Sequence, residues 1–575
     1  MLPHDGRLAP SQLRPPRDRV PDPWKASERR SAAWRSKVLR LRARCPSLAG
    51  RRGVAGRHRR VTRRTLLVGG MGIGGSLLAA SSLRPAGALQ ATPPAAHAGH
   101  DETHPLEATP SWLLWEPADL IEPEVRASAG GALSTDLRVG YAWHDSGGYR
   151  LNMRSYEGGI PGPTLRVQPG DLLRIGRHNE LPPNSDPLPL AVDLPHHFNT
   201  TNVHTHGLHV SPAGISDNVF RTMEPGERYD IEIAIPADHT RGTYWYHPHR
   251  HGSADVQITS GMAGALIVEG DFADVPEISA ARERVLIVSE VLFDDLGAIE
   301  TYDTVWPEAV PRFLAINGQR EPIIRLRPGE VQRWRFIQAA HESNLRIALD
   351  GHELHAIAYD GIQSEHIDSS ENLVVAPGQR VDVLVRAGEP GEYPLQAIAN
   401  DQGYPSPVGP LARVVVESEP LPMDLPSVLP APPLESIGDD EITGAREVIL
   451  SALQPEFPPA ANYQEFKFLI DGLLFDPNRV DQRIELGAVE EWTVVNDHED
   501  DHVFHIHTNP FQMTHVDGEP LAHPVWRDTV IAPREGSITF HSRFLDFPGK
   551  TVLHCHMMNH EELGMMQVVE FVARE

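Results

Sequence analysis

One phrase recurs three times along this 575-residue chain and constrains its fold more than any other feature. It reads TLRVQPGDLLRI at 164–175, IIRLRPGEVQRWRFI at 323–337 and RIELGAVEEWTVVN at 483–496. Each copy is a strand, a turn with glycine and a second alternating strand. The glycines, Gly170, Gly329 and Gly487, lie 159 and then 158 residues apart, so one module is used three times. Between the copies run short stretches rich in Val, Ile, Leu and Thr, cut by Pro and Gly, with no long helical periodicity. That pattern predicts β-sandwich modules. The proline-rich EPLPMDLPSVLPAPPLES at 419–436 has the stiffness of an interdomain linker. The modules are therefore placed at 110–272, 280–418 and 440–575, with the linker at 419–439.

The net charge of −26 conceals a split. Residues 1–64 hold 19 Lys and Arg against 4 Asp and Glu, or +15, which leaves 33 against 74, or −41, for the rest. An acidic body of that size argues against nucleic acid or an anionic membrane as a partner. The basic leader, residues 1–88, carries the pair Arg63 and Arg64 before a weakly apolar run from Leu66 to Ala80, with small residues at Ala86 and Ala88. This is the layout of a cleavable export signal of twin-arginine type, and it predicts a periplasmic or extracellular protein. The rival reading is a membrane anchor, but the run is short for a bilayer span and five glycines dilute it. No stable span is expected in the mature form. The 62 residues before Arg63 make an odd n-region, so the true start is expected further along the chain, and peptides recovered from residues 1–50 of the native protein would count against this. Residues 89–109, with His97, His100 and His104, read as a disordered linker. Of the two cysteines, Cys45 lies in the leader, so the exported chain holds only Cys555 and can form no intrachain disulfide.

Four histidine patterns carry the chemistry. TNVHTHGLHV holds His204 and His206, and TYWYHPHRHG holds His247 and His249. DHVFHIHTNPFQM holds His502, His505 and His507, and VLHCHMMNHEELGMM holds His554, Cys555, His556, His560 and Met565. Side chains at i and i+2 leave the same face of a strand, so each H-x-H pair offers two imidazoles to one side. A single pair is explained as well by an exposed strand face. Four pairs, drawn from the first and third modules and none from the second, imply one metal cluster where those two modules meet. The same alternation sends His554 and His556 to one face and Cys555 to the other, so one short peptide serves metal on both sides. A thiolate from Cys555, imidazoles from His502 and His560 and a distant thioether from Met565 form the ligand set of a blue copper centre. Zinc fits poorly, because structural zinc favours closed four-ligand sets richer in sulfur.

These motifs closely resemble those of the multicopper oxidases, in particular the three-domain bacterial laccase-like members, over about residues 110–575. The resemblance implies an all-β chain of three cupredoxin-like Greek-key β-sandwich domains in tandem. It also implies four copper ions. Type 1 copper takes His502, Cys555, His560 and Met565; type 2 takes His204 and His505; the type 3 pair takes His206, His247, His249, His507, His554 and His556. Met566 is the alternative axial atom, but Met565 has the family's spacing. Asp217 and Glu561 match the family's proton-relay carboxylates, where the rival reading is an ordinary hydrogen-bonded acid. The implied activity is laccase-like: one-electron oxidation of phenols or aromatic amines, coupled to four-electron reduction of O2 to water.

Within that chemistry a cuprous oxidase or copper-resistance protein is the rival, set back by only 11 methionines in the whole chain, since soft Cu(I) favours thioethers. Outside it stand a copper-binding protein without significant turnover and a copper-free division factor. The latter is disfavoured because all twelve ligand positions are filled. A two-domain nitrite reductase is disfavoured because it has no use for the eight histidines. His209 and His251 read as flanking groups, His352 and His355 as packing or hydrogen-bonding groups, and His196 and His197 as loop residues without a role. The physiological reductant, redox potential and oligomeric state leave no mark in the sequence.

Overall fold

The computed structural model describes residues 115–189, 191, 193–306, 312–453 and 463–574. The leader, its linker and Cys45 lie outside the described residues. Six sheets form three groups along the chain. The first pairs a five-stranded sheet, ordered Val125–Ala127, Thr164–Val167, Gly264–Val268, Gly242–His247 and His204–His206, with a four-stranded sheet. The second group, Arg282–Val291 to Gly409–Val416, has sheets of seven and five strands, and the third, Gly444–Leu453 to Met566–Val572, has six and five.

The repeated phrase, strand, turn and strand as expected, is a corner between two sheets. Its first strand (Thr164–Val167, Ile323–Leu326 or Gln482–Glu485) lies in a five-stranded sheet, and its second (Leu172–Asn179, Val331–Gln338 or Ala488–Asn496) lies in the facing one. In all three modules the first strand runs parallel to the module's last strand. In all three the second strand runs parallel to an early one. The glycine makes the crossing possible: Gly170, Gly329 and Gly487 have φ of 88°, 78° and 88°, in the left-handed region that a Cβ disfavours.

Apolar residues of alternating strands meet between the sheets. Leu137, Ile175, Ile233 and Leu266 fill the first core, and Trp334, Ile347, Val383 and Leu395 the second. Trp492, Phe504, Phe540 and Cys555 fill the third. Each such side chain contributes about 1.5–3 kcal/mol by burial. Strands of the first and third modules, and the residues just past their ends, carry the histidines. Among the described residues no helix is long and apolar enough to cross a membrane.

Candidate metal centre

Two antiparallel ladders present the donors. His204 lies opposite His247 in the first module, and His505 lies opposite His554 in the third. The modules interleave their rings: His204 stacks on His507 with centroids 3.9 Å apart, and His206 on His505 at 4.0 Å. All eight histidines of this nest are buried. Their ring nitrogens converge in three groups: His206 with His247 and His556; His249 with His507 and His554; and His204 with His206 and His505. Within the second group the Nε2 atom of His249 lies 3.1 Å from those of both His507 and His554. Nδ1 of His206 lies 3.2 Å from Nε2 of His556.

Burial, reinforced by neighbouring rings, pushes His204, His206, His247, His507 and His556 well below the usual histidine range. It takes His249 and His505 down to about 3 and His554 to about 4. The rings are therefore neutral and offer lone pairs, the form a metal requires. Buried ring nitrogens of His204, His247, His505, His507 and His556 have no hydrogen-bond partner among the described residues. Nitrogens facing one another without a shared proton are what a bound cation resolves, so this donor set fits a metal cluster.

Carboxylates back the rings, as is usual for metal-ligating histidines. Asp217 Oδ2 lies 2.9 Å from His204 Nδ1, while its Oδ1 accepts the Thr205 N–H at 2.9 Å. Glu561 Oε2 lies 3.0 Å from His554 Nδ1 and Oε1 3.6 Å from His249 Nδ1. Burial pushes each of these two carboxyls up to about 7. Asp528 and Arg380 left no signal in the sequence. The Asp528 carbonyl accepts from His505 Nδ1 at 2.7 Å, and its carboxylate is held by Arg380 at 2.8 Å and faces His206 Nε2 at 3.3 Å. Burial alone would raise Asp528; the Arg380 charge and hydrogen bond outweigh it and hold the acid below its usual range. Gly378, at φ 84°, lets the chain pass so close that a Cβ there would lie 2.7 Å from the His556 ring.

Beyond the strand from this nest lies the sulfur. Cys555 ends the strand Gly549–Cys555, and its side chain packs in the third core. Its Sγ lies 3.6 Å from His502 Nδ1 and 3.7 Å from His560 Nδ1, whose two Nδ1 atoms are 2.9 Å apart. Burial pushes the Cys555 thiol up to about 12, so a nearby cation is what would ionise it. Met565 shares the core cluster of Cys555, whereas Met566 packs with Val219 and Val552 in another, which separates the two thioethers. Phe468 stacks on His560 at 4.0 Å and His498 on His502 at 5.2 Å.

The remaining histidines take quieter places. His352 and His355 make hydrogen bonds at the surface of the second module. His209 bridges modules, through Nδ1 to the Thr508 carbonyl at 2.8 Å and Nε2 to Asp546 at 3.0 Å. His251 lies against the Phe475 ring and His196 against Arg250. His197 adopts φ 51° on the loop before the first motif.

Family models described as multicopper oxidase match residues 193–272, 292–416 and 449–574, together more than half of the chain. The chain belongs to the multicopper oxidase family. Among relatives, this multicopper oxidase is 23% identical over 424 residues to multicopper oxidase mco of Staphylococcus aureus, covering 72% of this chain and 83% of that one. It is 24% identical over 474 residues to a laccase of Bacillus stratosphericus, covering 73% and 90%. To the cell division protein FtsP of Escherichia coli it is 25% identical over 405 residues, covering 68% and 78%. Among solved structures, a multicopper oxidase from Campylobacter jejuni, described as a metallo-oxidase, superposes with a TM-score of 0.67 at 24% identity, covering 80% of this chain and 96% of that one. That likeness fixes the fold as cupredoxin-like.

Proposed function

We propose that this family member is an exported, laccase-like copper oxidase that couples one-electron oxidation of phenols or aromatic amines to reduction of O2 to water. The observation that carries the reading is the position of Cys555 between His554 and His556, which belong to different three-histidine groups. One peptide thus joins the sulfur site to both halves of the nest by covalent bonds. His502, Cys555, His560 and Met565 would hold type 1 copper; His204 and His505 type 2; His206, His247 and His556 one type 3 ion; and His249, His507 and His554 the other. Copper held there supplies one-electron uptake at the sulfur site and four-electron delivery to O2 at the nest.

The protein's own part is to position, exclude water and manage protons. Reduction of O2 to two waters consumes four protons, so a buried acid beside the nest is a chemical necessity. Glu561, fully buried against His554 and His249, is placed to hold such a proton, and Asp217 is placed likewise beside His204. The Phe468 ring and His498 pack around the sulfur-site imidazoles and limit which donors approach them.

Copper content with the visible spectrum of the loaded protein, followed by O2 uptake with a phenol against Cu(I), tests the reading. Four ions, a strong thiolate-to-copper absorption and faster uptake with the phenol are expected. Faster uptake with Cu(I) favours the metallo-oxidase reading that the Campylobacter relative's description brings up. A colourless protein with few ions overturns copper oxidation altogether and favours a role like that in the FtsP relative's name. Mass spectrometry of the native N-terminus tests cleavage near Ala88.

A further inference from the structure

Three modules meet behind the short helix Met558–Glu562, which carries His560 and Glu561, and the meeting point is a buried ion pair. His341, on the loop after the strand Val331–Gln338, places Nδ1 2.6 Å from Asp255 Oδ1, on the helix Ala254–Thr259 of the first module. Both residues are fully buried. The His341 carbonyl accepts the Met558 N–H at 2.9 Å, and its own N–H donates to Glu290 at 2.9 Å. Glu342 accepts from Asn559, while Glu562 accepts the Ala254 N–H at 2.8 Å. The Met558, Asn559 and Glu562 contacts join the helix after Cys555 to the two preceding modules, and the His341–Asp255 pair joins those two modules to each other.

We propose that the His341–Asp255 pair is a positioning element for the sulfur site, clamping the helix that bears His560 to the first and second modules and setting the charge beside that site. This rests on the reading of Cys555, His502 and His560 as a copper site. The charged groups around His341 are Asp255 from the first module and Glu290 and Glu342 from the second, and the charge on His341 opposes protonation of the His560 ring in the third. Burial alone would push His341 down; the Asp255 charge and hydrogen bond, then Glu342 and Glu290, outweigh it and raise the ring to about 9. The middle module, whose described residues offer no metal donor, thereby holds a cation behind the helix that bears His560.

The test uses full-length wild type, His341→Gln and Asp255→Asn. In copper-loaded protein, the midpoint of the thiolate–copper absorption is titrated against potential. Removing the cationic partner of the pair stabilises Cu(II) relative to Cu(I), so His341→Gln shifts the Cu(II)/Cu(I) ratio at fixed potential at least tenfold, about 59 mV downward. Asp255→Asn removes the anion that keeps the ring charged, so both charges vanish and the shift is smaller. Equal shifts in the two variants, or less than twofold in His341→Gln, overturn the proposal. A colourless wild type overturns the copper reading itself and is distinct from either result.

Metal-free protein gives a second measurement, independent of copper. A histidine raised from about 6.5 to about 9 adds stability fully present below pH 6.5 and lost as pH rises through 9. The wild-type thermal midpoint should therefore fall more steeply between pH 7 and 9 than that of His341→Gln. Identical slopes overturn the proposal. If His341→Gln does not fold, Asp255→Asn takes its place in both measurements: it too should lose the extra slope, and a midpoint shift above tenfold overturns the clamp.

Discussion

The outer modules and the middle one stand in opposite relations to the same site. The first and third bring every donor nitrogen and the sulfur, while the second, among its described residues, brings none. Yet the second module presses on the site from three directions. Arg380 fixes Asp528 under His505, Gly378 admits the His556 ring, and His341 holds the helix of His560. The difference separates two kinds of work. Donors must point at one spot, whereas the groups that hold them need only be packed and paired behind it.

Perturbations of each kind should break differently. If the proposed copper sites hold, Cys555→Ser, on the donor side, should abolish the visible thiolate absorption and turnover while leaving copper in the histidine nest, read by metal analysis. Arg380→Gln, on the supporting side, leaves Asp528 buried without its cation and should cost about 3–5 kcal/mol, read by denaturant unfolding. Should it cost less than about 1 kcal/mol, the middle module is packing only.

Glu561→Gln should keep the absorption and slow O2 turnover about 100-fold, within the range of a lost acid–base group. Burial raises Glu561 to about 7, so wild-type turnover should fall as pH rises through 7 and the acid ionises. The Gln variant should lose that limb, and retained activity at every pH would sink the proton role. Gly378→Ala should cost about 1–2 kcal/mol from the left-handed backbone alone and lower occupancy on the His556 side, with the Cys555 absorption unchanged. His352→Ala, at the surface of the middle module, should stay within about 0.5 kcal/mol and leave copper content untouched.

Much of the donor set was legible because strand alternation is a local rule. His204 with His206, His247 with His249, and His554 with Cys555 and His556 needed only a period of two to be read. The family pattern supplied Asp217 and Glu561, and the structure puts both against imidazoles. Partition of the six histidines expected at the type 3 pair was not legible. His206 joins His247 and His556, and His249 joins His507 and His554, only through the docking of two distant modules. The repeated phrase was legible as strand, turn and strand, but not as a corner, since a hairpin uses the same residues.

The sequence by itself determined which side chains leave a common face, which thiol stands apart from the others and where the glycines must turn the chain, because each depends on neighbours a few residues away. Only the tertiary structure decided which rings converge, and that Asp528, Arg380, Asp255 and His341 stand behind them. Those pairings join residues 86 to 322 positions apart. A buried charge far along the chain is chosen by what packs against it, and no local period records that choice.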